Sequence, residues 1–365
     1  MIPLTEPTLL LDKQKCLRNI HMMVDKAKRN NITLRPHFKT HQSHGVGKWF
    51  REAGVTKITT SSLEMAEYFA QDGWNNITVA FPVNVHEHER INRLASKITL
   101  NVLVEATETV AWLAREITNP LNIFIEVDNG YHRTGVSPSD FSALDAILKE
   151  IKNHTHFRFA GFLGHAGHSY QSAGDKNKIM AIHHESIGLM APLKEKYTSA
   201  YPDLILSTGD TPTCSVANEF PGMDEIRPGN FVFYDYQQVT IGSCTLDQIA
   251  VAMVCPIVAT YPERNMIAVH GGGIHFAKDF LKLPDGSNYF GKVVSLNEND
   301  WSTDETNMYV KSLSQEHGIV HAPKHLVEKI KVGDFMGVLP IHSCMTVDVM
   351  RRYLTTEGER FTTYR

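Results

Sequence analysis

Between about residues 9 and 236, short β-branched runs alternate with amphipathic stretches, and this switching between a period of two and a period of 3.6 constrains the fold more than any other feature. Strand candidates are TLRPHF (33–38), KITTS (57–61), ITVAF (77–81), TLNVLV (99–104), NIFIEV (122–127), FAGFLG (159–164), LILST (204–208) and DEIRP (224–228). Helical patterns fall near 44–53, 62–72, 86–96, 106–116, 138–152 and 175–198, with a shorter one near 212–219. A first helix precedes them: Asp12 caps it, Leu17, Ile20, Val24 and Ala27 recur at helical spacing, and Asn30 and Asn31 stop it. Eight strands alternating with helices, without a dinucleotide fingerprint after the first, predict an α/β chain with a (β/α)8 TIM-type barrel over 9–236 rather than an open doubly wound sheet. After Tyr236 the segments QVTIGSC, QIAVAMVCPIVATY, NMIAVHGGG, GIVHAP and GDFMGVLPIHSC are broken by Gly, Pro and Asn. They predict a C-terminal, mainly antiparallel β domain over 237–365, joined by the N-terminal residues 1–8.

Charge and composition narrow the function. The 36 Lys+Arg against 40 Asp+Glu leave a net charge of -4 with no run of one sign, which disfavours nucleic acid or an anionic membrane as partner and favours a small molecule. The longest apolar run, Ile249 to Ala259, is interrupted by Pro256 and falls short of the ~18 residues of a membrane span. MIPLTEPT lacks the charged start and apolar core of a secretory signal, so a cytoplasmic location is expected. Five scattered cysteines without a CxxC argue for thiols rather than a disulfide framework.

In a barrel, chemistry sits at the C-terminal strand ends. The first strand runs into Lys39, flanked by His37 and His41; a lysine desolvated there can act as an amine nucleophile or Schiff-base former, with a solvated loop lysine as the plainer alternative. The seventh runs into STGDTPT (207–213), whose small residues, hydroxyls and helix-opening Pro suit an anion, and the eighth into RPGN (227–230). The fifth ends in DNGYHRTG with Arg133, and the sixth in GHAGHSY with His165, His168 and Tyr170. In the β domain, His342 and Cys344 lie two apart on an expected strand, so both side chains share a face and can ligate zinc; a buried pair without metal is the alternative.

Taken together, PHFKTH, DNGYHRTG, GHAGHSY, STGDTPT, EIRPGNFVFYD, QEHG (315–318) and PIHSC resemble, in order and over about residues 7–350, the fold-type III pyridoxal-phosphate enzymes of the D-serine dehydratase and D-threonine aldolase group, related to alanine racemase. The resemblance implies a cofactor-bearing barrel, a β domain, and a homodimer with its active site at the subunit interface. It gives Lys39 the role of the cofactor-binding lysine that also moves the α-proton. It makes Ser207, Gly209, Thr211, Gly229 and Asn230 the phosphate cradle, and places Arg133 near the phenolic oxygen of the cofactor. His165 and Tyr170 are then set beside the ring, Arg227 opposite the pyridine nitrogen, and His342 and Cys344 on zinc or another divalent ion such as Mn2+. HGGGIHFAKD (270–279) departs from the family's pattern.

A cationic Arg227 opposite the pyridine nitrogen disfavours its protonation and weakens the ring as an electron sink, which raises the importance of a metal that polarises a β-hydroxyl. The expected activity is therefore a pyridoxal-phosphate- and metal-dependent lyase that dehydrates a D-serine- or D-threonine-type substrate to a keto acid and ammonia. Retro-aldol cleavage and racemisation are the alternatives within the family, and a non-catalytic cofactor-binding protein is a third class. HGGG suggests an esterase oxyanion segment, but no GxSxG elbow occurs. HEHE (86–89) and HTH (154–156) suggest a metallohydrolase but lie away from the strand ends.

Overall fold

The computed structural model describes residues 4–297, 300–303 and 306–365. Residues 1–3 of the segment expected to join the β domain lie outside that range. By its contacts the chain divides into two units: one holds the residues up to Ile20, Thr40–Gly47 and Asn230 onward, the other His21–Lys39 and Lys48–Gly229.

After β1 (Thr8–Leu11), the second unit takes up β2 (Thr33–Leu34), β3 (Ile58–Thr60), β4 (Asn76–Pro82), β5 (Thr99–Val104), β6 (Leu121–Glu126), β7 (Phe157–Leu163), β8 (Ile205–Thr208) and β9 (Glu225–Ile226). They form one eight-stranded sheet in the order β2-β9-β8-β7-β6-β5-β4-β3, and every adjacent pair is parallel. A parallel bridge between His37 and Thr59, with Phe38 N–H donating to Thr59 O at 2.8 Å, closes the ring. The expected first strand is thus shorter than TLRPHF, because Pro36 has no N–H to offer; Arg35 and His37 still donate to Ile226 O and Pro228 O, each at 2.9 Å, so the chain stays extended up to Lys39. Leu103, Phe124, Ala160 and Leu163 of neighbouring strands form a buried apolar cluster. An asparagine ladder, Asn122 to Asn101 to Asn76, ends on buried Arg35, whose Nε lies 2.6 Å from Glu225. Helices fall where the periodicity puts them, His44–Glu52, Leu63–Gln71 and Lys176–Tyr197 among them.

The first unit carries β10 (Val251–Tyr261), β11 (Met266–His270), the hairpin β12 (Leu281–Lys282) and β13 (Asn288–Tyr289), β14 (Gly291–Val294), β15 (Tyr309–Leu313), β16 (His317–His321), β17 (Phe335–Pro340), β18 (Arg352–Thr355) and β19 (Arg360–Thr362). Its nine-stranded sheet runs β11-β16-β15-β14-β17-β10-β1-β18-β19, and β10 also pairs with β11, closing six strands into an antiparallel barrel. Of the nine, only β1 and β18 pair in parallel. The apolar run around Pro256 is β10, long enough to serve β1, β17 and β11 at once. Among the described residues no helix is long and apolar enough to cross a membrane, and all five cysteines are free.

Candidate active site

Lys39 is exposed and follows immediately on Phe38, which is fully buried against Phe50, Phe69 and Trp74 at 4.9–5.1 Å between ring centroids, so the backbone beneath the amine is anchored. At the end of β8, Ser207 is fully buried, donates to Glu225 Oε1 at 2.6 Å and accepts from Arg227 Nη1. A hydroxyl has one proton, and that of Ser207 is taken; the side chain sets Arg227 rather than reaching outward to an anion. Arg227 Nη2 donates to Gly164 O at 2.5 Å. Burial lowers the Arg227 pKa to about 10 against the pull of Glu225, so the guanidinium stays cationic near neutral pH.

Gly209 sits at φ +144°, and a Cβ there would stand 2.6 Å from Arg227 N, so only glycine lets the two strand ends approach. Its carbonyl accepts from His165 Nδ1 at 2.9 Å, which fixes the proton on Nδ1 and leaves Nε2 with its lone pair. Burial first, and then the charges of Lys39, Arg133 and Arg227, lower His165 to about 3, and the imidazole is neutral. Three expected cations thus bear on one ring. Asp210 caps the helix Thr211–Val216 through Thr213 N at 2.8 Å and is braced by Ser169 Oγ at 2.7 Å. Thr211 is buried, its N–H reaches Tyr170 Oη at 3.4 Å, and its Oγ1 has no partner. A buried hydroxyl without a partner costs free energy unless a ligand satisfies it, and a phosphate oxygen is such a ligand. The residues present fit the phosphorylated cofactor that the sequence implies.

Two features escaped the sequence reading. Tyr131 packs edge-on to His165 at 5.9 Å and lies beneath the Arg133 guanidinium at 5.2 Å. Glu126, at the end of β6, takes a bond from Thr134 Oγ1 at 2.9 Å; burial, and next the adjoining Glu105, raise its pKa. Carboxylates at the ends of consecutive strands were the signal available for that pair.

The other unit holds the sulfur–nitrogen pair, and it corrects the expectation of a shared strand. β17 stops at Pro340, His342 is the residue before the helix Ser343–Met350, and Cys344 lies in that helix's first turn. The helix starts there because Asp235, far away in sequence, accepts from Ser343 N at 3.0 Å in place of a local cap. Asn230 is backed onto this corner, its Nδ2 reaching Asp235 at 2.7 Å, Ser343 Oγ at 2.9 Å and Cys344 Sγ at 3.6 Å, while Gly229 is buried in the barrel unit. Cys344 Sγ also lies 3.2 Å from Thr40 Oγ1. His342 Nδ1 lies 3.5 Å from Asp279 Oδ1. Burial opposes charge on His342, but Asp279 and Cys344 outweigh it and push the pKa up to about 11. A thiol and an imidazole side by side with a carboxylate behind the imidazole suit a zinc-type ion. Among the described residues, His270, His275 and Glu316 form a further group of ligand-type atoms, all within 4.8 Å of one another.

A family model described as "Alanine racemase, N-terminal domain" matches residues 11–237, and one described as "Putative serine dehydratase domain" matches residues 250–356. D-serine dehydratase of Dictyostelium discoideum is 28% identical over 96% of this chain and 93% of its own. D-threo-3-hydroxyaspartate dehydratase of Delftia sp. HT23 is 26% identical, and its structure superposes with a TM-score of 0.90 over 99% of this chain and 97% of that one. The same dehydratase is known as a cysteine-to-alanine mutant in the metal-free form and as a histidine-to-alanine mutant, the two replaced positions lying two apart. Alanine racemase of Clostridium difficile 630 shares the fold, with a TM-score of 0.71 at 13% identity and 99% coverage of both chains. The chain therefore belongs to the alanine racemase N-terminal domain family and carries the serine dehydratase domain after it, which makes it an enzyme of the pyridoxal-phosphate-dependent lyases.

Proposed function

We propose that this protein removes the β-hydroxyl of a D-amino acid of the D-serine or 3-hydroxyaspartate type, giving a keto acid and ammonia, with pyridoxal phosphate and a divalent ion, as a cytoplasmic homodimer. The observation that carries the reading is the His342–Cys344 corner with Asp279 behind it, since a racemase has no use for a soft metal-ligand pair. The spacing of the two mutated residues in the Delftia dehydratase supports it. When bound, the cofactor supplies an electron sink at the α-carbon and the ion a Lewis acid for the hydroxyl oxygen. Lys39 Nζ would hold the cofactor and serve as the base for the α-proton. Thr211 Oγ1, buried without a partner, and the backbone of Gly209 would receive the phosphate. Neutral His165 offers Nε2 without adding charge, and cationic Arg227 keeps a base placed against it unprotonated.

The test is a visible absorption spectrum of the purified protein, followed by a screen of D- and L-amino acids with product identification. Keto acid and ammonia from a D-β-hydroxy amino acid support the proposal; glycine plus an aldehyde, or the opposite enantiomer, replaces it with the aldolase or the racemase.

Two expected results follow from the geometry. Thr211→Ala weakens cofactor binding by about 1.5–3 kcal/mol, the worth of a hydrogen bond to a charged group, as read by fluorescence titration of the apoprotein; an unchanged dissociation constant removes that contact from the site. Asp279→Asn lowers metal affinity by about 10–100-fold in competition with a chromogenic chelator, because Asp279 holds the tautomer and orientation of His342. Equal affinities show that Asp279 does not orient the ring.

A further inference from the structure

The HGGG segment has no part in the reaction proposed above. β11 ends on His270, the short helix Gly273–Phe276 carries His275, and the turn between β15 and β16 carries Glu316. Antiparallel pairing of His270 with His317 brings Glu316 alongside. The two turns interlock through the backbone, Gly271 N–H donating to Glu316 O at 2.9 Å, Gly273 N–H to Ser314 O at 2.7 Å and Ile274 N–H to Gln315 O at 3.3 Å. A Cβ on Gly272 would meet Gln315 O at 2.3 Å, so that glycine is what permits the approach. Nε2 of His270 lies 3.5 Å and Nε2 of His275 4.0 Å from the same oxygen, Glu316 Oε2, and the imidazoles stand perpendicular with centroids 5.4 Å apart.

From this we propose a second metal site, formed by His270, His275 and Glu316, that takes a zinc-type ion and pins the two turns together. Two imidazoles and one carboxylate on a rigid frame select a borderline ion over Mg2+ or Ca2+, and the fourth position of a tetrahedral site stays open to water. Bonds of about 2.0–2.2 Å need ligand atoms about 3.3–3.5 Å apart, so the side chains have only a small distance to close. The ion has a further consequence. His275 Nδ1 accepts the Gly272 N–H at 3.1 Å, which puts the ring proton on Nε2; zinc on Nε2 moves that proton to Nδ1 and ends the bond to Gly272.

The test loads the full-length protein with zinc alone, removes excess ion and counts bound zinc. Cys344→Ala, which lacks the sulfur of the other pair, is expected to keep about one ion per chain, to gain in melting temperature on loading, and to lose both when Glu316→Gln or His270→Ala is added. Circular dichroism of the unloaded double variants checks that they fold. Cys344→Ala that holds no zinc, or that holds it equally with Glu316→Gln and with His270→Ala, overturns the proposal. If wild type holds a single ion and loses it with Glu316→Gln but not with Cys344→Ala, the second site stands, and the assignment of the reaction's ion to His342 and Cys344 fails instead.

Discussion

Lys39→Ala is expected to eliminate turnover and the visible absorbance of protein purified with pyridoxal phosphate. Loss of the proton transfer alone is worth about 10²–10⁴ in rate, and the covalent tether to the cofactor goes with it. Lys26 cannot stand in. The buried Lys26 has its ammonium on three carbonyl oxygens, of Cys214, Ser215 and Ala217 at 2.7–2.8 Å, so all three of its donors are used in holding the end of the Thr211–Val216 helix. Borohydride reduction with peptide mapping checks the assignment directly. A label on any other lysine, or undiminished kcat in the variant, would falsify it.

Removing the metal is expected to be nearly as severe. Polarisation of a leaving hydroxyl by a bound ion contributes several kcal/mol, so chelation, or Cys344→Ala, lowers elimination by about a thousandfold or more while the cofactor remains bound. Added zinc restores chelated wild type and does not restore Cys344→Ala. Because chelation also empties the proposed His270 site, the Cys344 variant is the sharper arm: it removes one sulfur and leaves His270, His275 and Glu316 in place. Metal-free protein with full activity would make the racemase the better reading.

The barrel was legible because periodicity is a local property. A helix pattern at 175–198 becomes Lys176–Tyr197 and one at 44–53 becomes His44–Glu52, since the apolar face of each is written in residues three and four apart. The position of Lys39 was legible too, as the residue where a β-rich run gives way to polar turn residues. The candidate site residues were reached through motifs, and motifs name residues without saying what their hydrogen bonds are used for.

Those uses are decided by tertiary contacts. Ser207 reads as an anion ligand until Glu225 and Arg227 are seen to occupy its hydroxyl. Asn230 reads as part of a phosphate cradle, yet its amide faces Asp235, Ser343 and Cys344. PIHSC reads as a strand because nothing within it caps a helix; the cap is Asp235, more than a hundred residues upstream. His270, His275 and Glu316 meet only because β11 pairs with β16. The sequence by itself determined the order of strands and helices and the residue types at the strand ends, because those depend on neighbours along the chain. Which donor meets which acceptor was decided by the fold, because a buried polar group is satisfied by whatever packing brings beside it, at any separation in sequence.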